Sequence, residues 1–199
     1  MVSSSDSTSL SGAFRQIDET RPRKRPVVAV VATQPETVFD DVQNAMDLAG
    51  VTQHLDPHAT TLLKINISWQ HWYPGCSTSP WQLEGVIRGL RNLGYPDLIG
   101  AHNGTVVVDS FEGEENNKHK AVQDKLNLPV VHLDSAPNKW VGYKPKTRML
   151  VLDDIFPEGI QIPESFPGTN IVHLPTMKTH VFTTMTGAMK IAFGVLLHR

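Results

Sequence analysis

Asn170-Ile171-Val172-His173-Leu174-Pro175-Thr176-Met177-Lys178-Thr179-His180, then Thr186-Gly187-Ala188-Met189-Lys190-Ile191-Ala192-Phe193-Gly194, is the stretch around which this chain is organised. Asn170 to Leu174 is a short apolar run, the pattern of a strand covered on both faces. Pro175 has no N–H to give to a ladder and ends the strand. Lys178 and His180 therefore follow a strand's C-terminal end, the edge at which open α/β sheets hold their ligands. From Thr184 onward the spacing turns helical, with Met185, Met189 and Ala192 or Phe193 on one face. Lys190 falls near the start of that helix, where the macrodipole offers a cation nothing. A lysine placed there wants an anionic partner, although a lone lysine is most often simply solvated. Three basic groups on one loop–helix unit tip the reading towards an anion site.

Working back along the chain, Pro26 to Thr33 is apolar throughout and reads as a central strand. Thr37 to Ala49 carries Val38, Val42, Ala45 and Ala49 at helical spacing, and Gly50 suits the C′ position. Thr60 to Asn66 reads as a second strand. Lys64 and Asn66 share one of its faces and Leu63 and Ile65 the other; a two-faced edge strand is the competing reading. Ser68 to Ser77 is a loop carrying Trp69, His71, Trp72 and Tyr73, which either cap a core or wall a pocket. Ser79, Pro80 and Gln82 form a capping box with proline at N1, opening a helix whose buried face is Leu83, Val86, Ile87 and Leu90.

Asp97 to Gly104 reads as strand then loop, and Leu128 to Leu133 as another buried strand. Glu112 to Asn117 reads as loop and Asn117 to Leu126 as a short helix. Arg148 to Leu152 and Gly159 to Ile162 read as antiparallel strands around Asp153, Asp154 and Pro157, with both aspartates as turn residues. The alternation of strand and helix predicts an α/β fold: a mostly parallel sheet flanked by helices, with a small inserted β-hairpin near 147–163.

Several of these residues carry a resemblance. Lys64-x-Asn66, Thr78-x-Pro80, Pro175-x-x-Lys178-x-His180 and Thr186-Gly187-x-x-Lys190-x-x-x-Gly194 resemble the signature of the domain of unknown function 362 family. Thr176 and Ile191 stand where that family often has Lys and Asn, and Ala101-His102-Asn103 where it often has Gly-Asp-Ser. The resemblance implies an α/β fold and a candidate site, but no settled reaction. It also implies a longer domain, with a further α/β segment after the motif. Residues 26–199 are therefore expected to form a single α/β domain, C-terminally truncated, behind a disordered tail at 1–25.

Composition removes several classes. A chain of 199 residues suits one core. A net charge of −2 argues against coating nucleic acid. Some relatives in the family carry a ferredoxin-like cluster module, but Cys76, the one cysteine, cannot hold an iron–sulfur cluster. No apolar run approaches the roughly 18–20 residues of a membrane span, and no signal peptide is visible, so a cytoplasmic location is expected. His71, Cys76 and His102 match no metal-ligand spacing and read as satisfied histidines and a buried thiol.

The expected function is that of an enzyme acting on a small anionic molecule, a phosphate or carboxylate. Lys178, His180 and Lys190 are the candidate catalytic residues. Lys64, Asn66, Thr78 and Ser79 are the candidate substrate-binding residues, and no residue is assigned to a metal. Lysines and helix N-termini clamp anions, and a histidine titrates close to neutrality. The alternatives are a non-catalytic anion- or metal-binding module and a structural or interaction protein. The sequence sets no cofactor and no oligomeric state.

Overall fold

The computed structural model describes residues 26–105, 107–145, 149 and 151–194. Its centre is a parallel four-stranded sheet made of β1 (Thr61–Ile65), β2 (Leu98–His102), β3 (Val130–His132) and β6 (Asn170–Leu174), in the order β3-β2-β1-β6. Strands β1 to β3 step outwards in one direction, and β6 then pairs on the other side of β1, Thr61 beside Asn170 through Ile65 beside Leu174. The strand order thus reverses between β1 and β6. In parallel sheets the ligand crevice opens at such a switch, outside the strands' C-terminal ends.

One face of the sheet, carrying Leu63, Ile65, Leu98, Val172 and Leu174, packs on α2 (Pro80–Asn92) and α4 (His119–Leu126) through Leu83, Ile87, Leu90 and Val122. Helix α1 (Val38–Leu48) lies outside α2. Gly85 permits that approach: a Cβ there would sit 3.0 Å from the stiff, branched Cβ of Val42. Glu84, buried on α2, is held by Arg88 at 2.5 Å and by Lys125 of α4 at 2.8 Å. The opposite face, with Leu62, Ile99, Ala101 and Ile171, packs on Leu133, Phe166 and Ile162.

The α/β architecture expected from the sequence is present, and α2 begins as read, with Ser79 Oγ accepting from the Gln82 N–H at 3.1 Å and Pro80 in the first turn. Four local readings are corrected. Pro26 to Thr33 forms no strand; Val27, Val28 and Val30 are exposed, because an apolar run becomes a strand only where an edge offers it hydrogen bonds. The central strand is instead β1, whose five residues are all buried, Lys64 included. Strand β6 is an edge strand, buried fully only at Leu174.

Of the residues read as loop at 112–117, Glu112 to Asn116 belong to α3 (Ser110–Asn116), capped by Asp109, whose side chain accepts from the Phe111 and Glu112 N–H groups. The inserted hairpin exists with a different first arm. β4 (Trp140–Tyr143) pairs with β5 (Ile160–Pro163), and Leu152–Ile155 forms a single helical turn, α5. Arg148 and Leu150, part of the expected first arm, lie outside the described residues, as do 146–147, the N-terminal tail and 195–199.

Thr78 joins the parts. Its N–H donates to Asn66 O at 2.9 Å and its Oγ1 accepts from the Asn66 N–H at 2.8 Å. The same hydroxyl donates to Leu174 O at 2.5 Å, and the Thr78 carbonyl accepts from His119 Nε2 at 2.6 Å. A buried donor or acceptor left without its partner costs about 1–3 kcal/mol. Thr78→Val keeps the shape but strands the Asn66 N–H and the Leu174 carbonyl. It is expected to lower stability by about 2–4 kcal/mol in urea denaturation. Ser79→Ala, which removes only the helix cap, should cost about 1 kcal/mol. Equal effects from the two variants would show that Thr78 is no more than a cap neighbour.

Candidate functional site

The C-terminal edge of the sheet gathers most of the residues singled out in the sequence. After β6 the chain runs through Pro175 and Thr176 into a tight β-ribbon, β7 (Thr179–His180) against β8 (Thr184–Met185), and then into α6 (Ala188–Phe193). Thr186 closes this unit: its Oγ1 donates to Thr176 O at 2.6 Å, and its N–H to Lys178 O at 2.8 Å. A small cavity at the β1–β6 switch is lined by Asn66, Pro175, Thr176, Thr186, Gly187 and Lys190. Asn66 and Lys190, far apart in sequence, therefore face one space. Asn66 Nδ2 donates to Ser68 Oγ at 2.8 Å, which fixes the amide.

Lys178 and Lys190 both stand close enough to act on His180. Residual shielding from water, and then the charges of Lys190 and Lys178, hold the His180 imidazole below its ordinary value. His180 Nδ1 accepts the N–H of Phe182 at 3.2 Å, so the ring proton belongs on Nε2. No carboxylate pairs with Lys178 or Lys190 among the described residues. Around them, Met177, Val181, Phe182 and Met189 are exposed.

Thr78 and Ser79 lie beside this edge with their hydroxyls already engaged, the first between β1 and β6 and the second at the cap of α2. Lys64 lies deeper. It is 4% exposed, its Nζ donates to Ile65 O at 3.4 Å, and His173 stands beside it in register on β6. Burial lowers its ammonium to about 8, against a smaller upward pull from Asp134.

A second group of residues occupies the same edge on the far side of β1. His102 ends β2 and His132 ends β3, in register with each other. Glu114, from α3, meets both: its carboxylate is in direct contact with His102 Nδ1 and stands 3.4 Å from His132 Nε2. Gly113 lets α3 come this close, since a Cβ there would sit 2.5 Å from Ile67 Cγ2. His132 stacks on Phe111 with ring centres 3.8 Å apart, and Ser110 Oγ lies 3.1 Å from its Nδ1. Burial, followed by the neighbouring His119, Lys64 and His132, pushes His102 well below the ordinary histidine range. Burial also lowers His132, against Asp134 and Asp109.

The model of the family described as Domain of unknown function (DUF362) matches residues 61–199. The chain belongs to this family. The match begins at the first residue of β1 and takes in the whole sheet and both parts of the edge, leaving α1 outside. Neither the curated proteins nor the solved structures give a match. Membership in this family fixes no reaction.

His71 and Cys76 do not join His102: His71 lies near Glu112 at 3.8 Å, and Cys76 is free and half-buried. The residues that do join it, Glu114 and His132, escaped the sequence reading. One signal was available. Ile99-Gly100-Ala101-His102 and Val130-Val131-His132 are both apolar runs ending in histidine, and adjacent parallel strands bring such ends together. Glu114 was hidden because its segment read as loop.

The buried Lys64 gives a pH signature. Between about 8 and 10.5 the unfolded chain holds a proton that the folded chain has released, so stability rises with pH across that window. Below it the cost of enclosing the ammonium is present in full, on the order of 3 kcal/mol. Lys64→Met should therefore be the more stable protein near pH 7 by up to about 3 kcal/mol, with the difference shrinking towards pH 10. Urea denaturation of both proteins at several pH values checks this. A Met variant less stable throughout would mean that the amine makes net favourable contacts.

Proposed function

We propose that this DUF362 chain binds a small anionic molecule, carrying a phosphate or carboxylate group, at the C-terminal edge of its sheet, and that the site belongs to an enzyme. One observation carries the reading. Lys178 and Lys190 both bring positive charge to bear on His180 beside the switch between β1 and β6, and no carboxylate pairs with either lysine among the described residues. Like charges held together repel one another, and an anion between them removes that cost.

Lys190 and Asn66 face the cavity, and Lys178 and the Nε2–H of His180 add donors from the ribbon. With Nδ1 already accepting a backbone N–H, His180 is better suited to donating a hydrogen bond to an anionic oxygen than to taking up a proton. That observation favours the second reading, a binding module without chemistry, as far as His180 is concerned. Thr78 and Ser79 act on this view through position, by fixing Asn66 and the start of α2. Lys64 supplies positive potential from beneath. A cytoplasmic setting is part of the same proposal.

Thermal unfolding in the presence of inorganic phosphate, phosphate monoesters and small di- and tricarboxylates tests the reading. A ligand at a hundred times its Kd should stabilise the fold by about 2.7 kcal/mol. Lys178→Ala/Lys190→Ala should abolish that gain while changing the unliganded protein by less than about 0.5 kcal/mol. Stabilisation that survives in the double variant would move the site elsewhere. No stabilisation by any of these anions at millimolar concentration would leave the lysines as solvated surface groups.

A further inference from the structure

We propose that His102, Glu114 and His132 form a binding site for a divalent transition metal of the zinc or ferrous class. Nδ1 of His102, Nε2 of His132 and a carboxylate oxygen of Glu114 all lie within 4.8 Å of one another. Ligand atoms about 2.1 Å from a tetrahedral ion stand roughly 3.4 Å apart. The His132 Nε2 to Glu114 Oε1 separation is 3.4 Å. His102 Nδ1 lies against the same carboxylate, so the three donors converge on one point.

The three donors are fixed by different parts of the fold. Backbone pairing sets His102 beside His132, and α3 delivers Glu114 from above. His132 is held in orientation by the ring of Phe111, and Ser110 Oγ at its Nδ1 leaves Nε2 as the nitrogen that faces the other ligands. A polar partner on the second nitrogen is the usual support of a metal-bound imidazole.

The charge balance points the same way. Glu114 is 5% exposed and His102 1% exposed, so the carboxylate is out of water. A buried carboxylate needs a counter-charge. Its ion-pair partners among the described residues are the two imidazoles alone, while Arg88 and Lys125 are engaged with Glu84. A divalent cation supplies the missing charge. Two imidazoles and one carboxylate suit zinc, ferrous iron or cobalt, and disfavour magnesium and calcium, which take oxygen ligands. Three protein ligands leave a position open for water or a substrate oxygen. This inference does not rest on the anion site: it uses none of Lys178, His180 or Lys190.

The test uses the 199-residue chain stripped of metal by a chelator. One equivalent of cobalt(II) should give visible d–d absorption, and one equivalent of zinc should displace it. Zinc should raise Tm, while magnesium and calcium should not. His132→Gln and Glu114→Gln should each weaken zinc binding by roughly 10- to 100-fold or more. His71→Ala/Cys76→Ser should leave it unchanged. His132 carries the test because its side chain is only partly enclosed, whereas replacing His102 risks the fold; circular dichroism checks each variant. The proposal is overturned if the wild-type chain, folded by circular dichroism, takes up no stoichiometric cobalt or zinc. It is equally overturned if folded His132→Gln and Glu114→Gln bind as tightly as wild type.

Discussion

The hydroxyl of Thr78 is the contact on which this structure turns. Parallel strands leave backbone groups unpaired where they end, and a buried edge cannot hand those groups to water. Here the exits of β1 and β6 are both satisfied by one side chain, which accepts from Asn66 and donates to Leu174. The Thr78 carbonyl meanwhile receives His119 at the start of α4. Strand ends, the first turn of α2 and the first turn of α4 are thereby referred to a single point. Everything with chemical potential lies within a few residues of it along the chain or across the sheet: Lys64, Asn66, His102 and the ribbon after Leu174.

That concentration has an energetic consequence. Elsewhere the two sheet faces are packed mainly with leucines, isoleucines and valines. At the C-terminal edge the same fold encloses a lysine, a glutamate and two histidines, His102 and His119, that are held below their ordinary protonation range. Buried ionisable groups cost stability unless paired or used. Glu84 illustrates the paired case, since two cations hold it. Among the described residues Lys64 and Glu114 are not matched in that way, and burial is the dominant influence on Lys64. Stability is being given up at one edge of an otherwise ordinary core, which is how functional sites differ from structural ion pairs.

What the sequence disclosed follows from how local each signal is. The capping box at Ser79, the C′ glycine at Gly50 and the βαβ alternation depend on neighbouring residues and were legible. Pro26 to Thr33 was misread because apolar content reports suitability for burial and not the presence of an edge to pair with. For Lys64 the competing reading, the polar face of a two-sided strand, stayed open in the sequence because period-two alternation cannot tell a solvated face from a buried charge. Asn66 and Lys190 were both selected from the sequence, and the switch between β1 and β6 sets them around one cavity. The histidine–glutamate group was not legible, since it is assembled by strand register and by a helix in a segment too polar to suggest one.

The two parts of the edge differ in what they lack, and the difference bears on how they could cooperate. The ribbon and α6 carry excess positive charge near the surface, while the enclosure between β2, β3 and α3 carries a carboxylate whose ion-pair partners among the described residues are imidazoles. Lys64 lies on β1 between them, electrostatically coupled to His102 on one side and to His173 on the other. A cation in the enclosure would oppose the ammonium of Lys64 and favour its neutral form; an anion at the ribbon would favour the charged form. If both proposed sites are occupied, the buried amine would be pulled in opposite directions by the two occupants. Its value of about 8 lies close enough to neutrality for either influence to change the amount of charge it carries.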